Sequence, residues 1–382
     1  MQLQHLRVRN APDYVYVDPW FIVPTFLLTV IGIIIVYTSS FYISSRFSTS
    51  FGHFYFVTRH MINILLGIVL MTFLNASRME DLLKASRSLI AIAILLLIGL
   101  LIFGHTIAGV KRWIRVAGFS FQPSEFAKFA LIVYAADYLH RKPSSNSFKH
   151  DFLPIFGVIS FVSLLVALQP SLSMSALIFA IGIIMLFAGN MRVRYLLLTL
   201  FVGFVLFAIF VKFVPYARHR IIRFLASDVM QVKQGLAGMS QGGLWGKGVG
   251  KGVMKFLYLP APFTDFIFAV IGEEFGFIGT SIVTLLYLTI LLHGYHVASE
   301  IMLFGKRYFG HALLAVGFST AIALFGFVNI SIVLGKLPPT GVPLPFITYG
   351  GSAALFNFSA IGVLLSVSST LNRLQAERRI FP

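Results

Sequence analysis

Ionisable residues are scarce in this sequence, and the few inside apolar stretches sit at telling positions. Glu125 and Lys128 lie in Gly118-Phe-Ser-Phe-Gln-Pro-Ser-Glu-Phe-Ala-Lys128. Pro123 suits a first helical turn and Glu125 the positive end of a helix. Glu125 and Lys128 are three apart, so they share a face. They form either a cap with a local ion pair or a cavity-facing pair, since charges inside a span usually face a bundle interior. Just upstream, Lys111-Arg112-Trp113 offers two cations and an indole. They could anchor a helix at the interface, or grip a phosphate while the ring packs on a sugar or lipid. Asp265 stands where Leu259-Pro-Ala-Pro-Phe-Thr-Asp-Phe266 turns into an apolar run. It is either an N-cap or a carboxylate free to act as a base. Glu273 follows on the same helix, about 80° around the axis, so both acids could face one cavity.

Two further segments have unusual backbone chemistry. Gly242-Gly-Leu-Trp-Gly-Lys-Gly-Val-Gly-Lys-Gly252 resembles a phosphate loop but lacks its glycine spacing and the hydroxyl after lysine. It reads as a flexible basic outer loop able to contact an anionic group. Leu337-Pro-Pro-Thr-Gly-Val-Pro-Leu-Pro-Phe-Ile-Thr-Tyr-Gly-Gly-Ser352 cannot form a regular helix. Irregular backbone at membrane depth survives only where protein buries it or water lines it, so this segment lines a cavity or makes a tight outer connection. There is no cysteine, no HExxH metal site and no Ser-His-Asp order.

The elements that must hold these residues are apolar helices. Of 382 residues, 58% are hydrophobic and 11% charged, against about a quarter charged in a soluble chain. The fold class is therefore all-α, a polytopic membrane protein. Runs long enough to span predict about ten transmembrane helices: Trp20–Ser40, Val57–Ala76, Arg87–Gly104, Pro123–Leu139, Phe152–Leu168, Ser171–Gly189, Arg194–Val214, Phe266–His293, Phe309–Leu334 and Thr348–Leu371. Residues 1–382 read as a single membrane domain, with one long extracytoplasmic loop at 215–265. No cleaved signal peptide is legible near Arg7 and Arg9. Fifteen Lys and Arg fall on the side of the N-terminus, against six in the short loops opposite, which predicts both termini cytoplasmic. His293 and His296 are expected at a cytoplasmic helix end. The net charge of +17 is scattered over loops, which points to lipid head groups and anionic lipid-linked substrates and away from nucleic acid.

The motifs also carry a resemblance. Lys111-Arg-Trp-Ile, Phe121-Gln-Pro-Ser-Glu-Phe-Ala-Lys, Gly242-Gly-Leu-Trp-Gly-Lys-Gly-Val-Gly, Thr264-Asp-Phe-Ile-Phe-Ala-Val-Ile-Gly-Glu-Glu-Phe-Gly276 and Pro343-Leu-Pro-Phe-Ile-Thr-Tyr-Gly-Gly-Ser352 resemble those of the SEDS family (shape, elongation, division and sporulation), in family order and spacing. Its members include FtsW, RodA and SpoVE, and the chain looks slightly more like FtsW than RodA. The resemblance implies a peptidoglycan glycosyltransferase of the bacterial inner membrane that polymerises lipid II during division or elongation. It also implies a class B penicillin-binding protein and other division or elongation proteins as partners. Asp265 matches the family's essential acid. Glu125, Lys128 and, in the same motif, Gln122 and Ser124 match its central cavity, Arg112 and Trp113 its presumed groove, and Arg59 another cavity cation. A divalent cation such as Mg2+ or Mn2+ could share the charge work, although no ligand cluster demands one. A lipid II flippase and a non-catalytic division scaffold are the rival readings. Four positions depart from the family pattern: Ala261 and Phe263 where Glu and His are usual, Ser171 in place of an acid, and Ala353 in place of a serine.

Overall fold

A computed structural model of the chain describes residues 17–44, 54–104, 112–116, 119–142, 147–226, 229–254 and 263–380. Lys111 and Ala261 lie outside these residues.

The long helices form where apolar runs go unbroken. They are α1 (Pro19–Ser44), α2 (Tyr55–Ala76), α4 (Ser86–Phe103), α5 (Pro123–Arg141), α6 (Leu153–Ala167), α7 (Leu172–Ala188) and α8 (Val193–Phe213), followed after the long connection by α11 (Ile267–Met302), α12 (Phe309–Val333) and α13 (Gly351–Ile380). A short α3 (Met79–Lys84) precedes α4, and a π-turn at Phe148–Phe152 leads into α6. A small antiparallel hairpin, β1 (Ile114–Val116) with β2 (Phe119–Phe121), pairs Ile114 with Phe121 just ahead of α5. Among the described residues, eight helices are long and apolar enough to cross a membrane. The 17-residue apolar α7 and the charge-bearing α5 run alongside them.

α12 and α13 form the centre of the bundle; their apolar windows are 83% and 78% buried, whereas that of α8 is only 11% buried. α11 runs along α12, and α2 along α13. Small residues permit the close approach. A Cβ on Gly326 would lie 3.0 Å from the Tyr287 ring.

Three expectations change. The long connection is not all loop: it contains α9 (Pro215–Leu225) and α10 (Met230–Gly242). Pro215 supplies the first turn of α9, because a ring without an N–H is harmless there. The eleventh helix does not end near His293 but continues to Met302. His293 therefore lies within the bundle wall, with Nε2 2.8 Å from Oδ2 of Asp18, which also accepts from Ser368 of α13. The last helix begins at Gly351 rather than Thr348, because Thr348 is used in the preceding turn, where its hydroxyl accepts from the Leu344 N–H at 2.8 Å.

Candidate active site at the start of the eleventh helix

The glycine-rich segment is built into α11, which corrects the expectation of a flexible loop. Gly276 sits at φ 66°, ψ −161°, a conformation that strains any side chain, and breaks the helical ladder. The broken ladder leaves carbonyls at Glu273 and Glu274 and amides at Phe277 and Ile278. The loop takes up all four. Lys247 and Gly248 N–H donate to the Glu273 and Glu274 carbonyls at 3.0 and 3.1 Å, and Phe277 and Ile278 N–H donate to the Gly243 and Leu244 carbonyls at 2.9 and 3.2 Å. The side chains add a second layer. The Glu273 carboxylate accepts from Val253 N–H at 2.8 Å, Met254 N–H at 3.2 Å and Lys247 Nζ at 2.9 Å. Glu274 accepts from Gly250 N–H at 3.0 Å and from Thr38 of α1 at 3.3 Å. Glu273 is fully buried. The anionic group met by this basic loop is thus the protein's own, and Glu273 holds the loop rather than sharing a cavity with Asp265.

Asp265 lies in the turn two residues before α11. Asn329, buried on α12, donates through Nδ2 to the Asp265 carbonyl at 3.0 Å and to the Val342 carbonyl at 2.7 Å. The proline-rich segment comes close to the carboxyl at Gly341, where a Cβ would stand 3.3 Å from Oδ2. Burial pushes the Asp265 carboxyl up to about 6, against the opposing pull of Arg112 and Arg220. A raised carboxyl near neutrality is suited to accept a proton.

The two arginines come from different elements. Arg112 stands two residues before the hairpin, anchored by donation to the Gln169 carbonyl at 3.4 Å and to the Pro170 carbonyl. It thereby caps the corner between α6 and α7 where Ser171 stands. Arg220 comes from α9. It was not singled out in the sequence, where it is one of several cations in a presumed loop. The Pro215 start followed by isoleucines among arginines was the signal of a short amphipathic helix.

Phe263 gives one departure from the family pattern a physical meaning. It is buried and packs in an aromatic cluster, 4.8 Å from the Phe56 ring and 6.0 Å from Tyr349, whose N–H donates to the Phe263 carbonyl at 3.2 Å. Arg59 hydrogen-bonds Tyr349 and lies 4.8 Å over the Tyr55 ring. The aromatic wall therefore takes the space that polar side chains would fill, and carries a cation at its edge.

Glu125 and Lys128 form a buried ion pair at 2.7 Å, and Lys128 Nζ sits 4.1 Å over the Phe325 ring. The Glu125 Oε1 atom has no hydrogen-bond partner among the described residues. Phe325 and Asn329 are four apart on α12, so the pair and Asp265 are served by one face of one helix. Gln122 and Ser124 complete the entry to α5. Gln122 N–H donates to the Ser352 hydroxyl at 2.8 Å, Ser352 donates to the Ser120 carbonyl at 3.0 Å, and Gln122 Nε2 donates to Ser124 at 3.0 Å. Trp113 is half-buried at the start of the hairpin, and its indole N–H makes no hydrogen bond among the described residues.

Fold and site define a multi-pass helical membrane protein with a raised carboxyl, Asp265, under the influence of Arg112 and Arg220 at the entry to α11. The chain belongs to the FtsW/RodA/SpoVE family of cell cycle proteins, whose model matches residues 19–373. It is 34% identical over 370 residues to "Stage V sporulation protein E" of Bacillus subtilis, covering 94% of this chain and 98% of that one. It is 35% identical over 362 residues to "Probable peptidoglycan glycosyltransferase FtsW" of Geobacter sulfurreducens, covering 90% and 93%. Its fold is shared by a chain of a peptidoglycan synthase complex, with a TM-score of 0.74 at 23% identity over 93% of this chain and 98% of that one. It is also shared by the rod shape determining protein RodA of Thermus thermophilus, with a TM-score of 0.69 at 23% identity over 94% and 98%.

Proposed function

We propose that this chain is a peptidoglycan glycosyltransferase that polymerises lipid II into glycan strands in the inner membrane of a bacterium. The observation that carries this reading is the placing of Asp265 at the entry to α11, its main chain tied to Asn329, its carboxyl raised by burial and drawn back by Arg112 and Arg220. Chain growth requires a sugar hydroxyl of one substrate to attack the anomeric carbon of another. The new C–O bond forms as the bond to the lipid pyrophosphate breaks, the hydroxyl proton passes to Asp265, and the pyrophosphate leaves with the electron pair. A single displacement inverts the anomeric centre. A leaving group this stable needs no second carboxyl as acid, in contrast to glycoside hydrolysis. Arg112, Arg220 and Arg59 would offset the charge of the pyrophosphate, and Trp113 would flank the groove.

No group of three or more His, Asp or Glu gathers among the described residues. Asp265 is the residue that would hold a divalent cation, which would supply charge neutralisation. Lys128, Glu125, Gln122 and Ser124 shape the wall behind the site. We assign both termini to the cytoplasm, which puts Asp265 outside, where a lipid-tailed disaccharide can enter from the bilayer. A class B penicillin-binding protein would crosslink the strands.

The test is polymerisation of purified lipid II by the chain together with its partner. Asp265→Asn is expected to abolish polymer. Retention of near-normal rate in that variant would remove Asp265 as the base. Polymer formation by the native sample alone separates an enzyme from a flippase or a scaffold.

A further inference from the structure

At the end of the bundle opposite Asp265, a cavity of about 420 Å³ is lined by Arg87, Tyr134, Tyr138, Arg141 and Lys142. Three cations and two phenols around one hollow need a reason, since each cation repels the next. Two have acids of their own. Arg141 pairs with Asp137, and Lys142 lies 3.9 Å from Asp151 and donates to the His150 carbonyl at 2.6 Å. Arg87 is exposed and makes no ion pair or hydrogen bond among the described residues. It also stands in the first turn of α4, where the helix dipole disfavours a cation. Tyr138 spends its hydroxyl on the His150 carbonyl at 3.0 Å, whereas the Tyr134 hydroxyl, one turn deeper, has no partner among the described residues. The cavity thus offers one uncompensated guanidinium and one unused O–H donor, backed by two further cations.

We propose that this cavity binds a phosphate, and specifically the phosphate of an anionic lipid head group. The surface running away from Arg87 favours the lipid over a free ion. Ala91, Leu95 and Ile102 fall within about 80° of Arg87 around α4, and Leu95 and Ile102 are 68% and 63% exposed. A head group on Arg87 and Tyr134 would lay its acyl chains along that stripe, a common arrangement for basic pockets between membrane helices. This site is independent of the polymerase reading.

The full chain in a neutral detergent would be titrated with short-chain phosphatidylglycerol, short-chain phosphatidylcholine and inorganic phosphate, with binding followed by thermal shift. Phosphatidylglycerol should saturate, and phosphatidylcholine should bind more weakly. Arg87→Gln should weaken phosphatidylglycerol by about tenfold or more, one charge-assisted contact's worth. Tyr134→Phe should weaken it in the same direction and keeps the test valid if Arg87→Gln lowers the unliganded melting temperature. Inorganic phosphate binding as tightly as phosphatidylglycerol, with the same loss in both variants, would make the occupant a free phosphate and overturn the lipid assignment. Equal affinity for the two lipids, or no change in either variant, would overturn the site itself.

Discussion

Asn329 Nδ2 lies 3.0 Å from the main-chain carbonyl of Asp265 and 2.7 Å from that of Val342. One buried amide thus joins the turn that carries the acid to the proline-rich segment that faces it. Replacing Asn329 by Leu removes both bonds while keeping the branched four-atom side-chain skeleton. Misplacement by about 1 Å can cost about a hundredfold, so lipid II polymerisation is expected to fall by about 10–100-fold in kcat with KM little changed. A change confined to KM would mean that Asn329 touches substrate instead.

In the proposed mechanism Asp265 can accept a proton only when ionised, and burial raises its carboxyl to about 6, so the pH profile of polymerisation should rise through a limb near pH 6. Arg220 pulls in the opposite direction. Arg220→Gln should therefore move the limb to higher pH, and an unmoved limb would show that Arg220 does not act on Asp265.

Stability should respond to Asp265 with the opposite sign from activity. A folded-state value above the ordinary 3.8 means that ionising this carboxyl costs folding free energy. The cost begins as pH climbs past the unfolded value and is complete above about 6. Asp265→Asn, expected to lose about 10²–10⁴-fold in rate, should melt at or above the native temperature at pH 7.5, with the advantage gone at pH 4. A lower melting temperature at pH 7.5 would mean that the carboxylate is structurally required.

The Glu125–Lys128 pair should behave as a unit. Lys128→Met leaves a buried carboxylate uncompensated and should destabilise by about 3–5 kcal/mol. Adding Glu125→Gln should restore most of that loss. Melting temperatures of the two variants in one detergent decide it; equal values would show that the pair is not coupled.

The spans were legible in the sequence because lipid demands long apolar runs, which α1, α4 and α8 supply with few interruptions. α9 and α10 were not, since 11 and 13 residues of mixed character resemble a polar connection. Asp265 was legible as a candidate because an acid beside a helix start is conspicuous in so apolar a chain. Arg220 escaped because it lies among like charges, and Asn329 because an amide inside an apolar helix carries no spacing signal. The glycine-rich segment was misread for a different reason: its partners are carbonyls and carboxylates at Glu273 and Glu274, more than 20 residues away, exposed only by the turn at Gly276.

That splice has a consequence for how the segment can change. Surface connections usually tolerate insertions and deletions, since only their ends are fixed. Here Gly243, Leu244, Lys247, Gly248, Gly250, Val253 and Met254 are each bonded to a fixed stretch of α11. Adding or removing one residue between Leu244 and Gly250 would slide the loop along its rungs and strip the buried Glu273 carboxylate of its donors. The segment is a loop whose length is as constrained as that of a strand in the middle of a sheet.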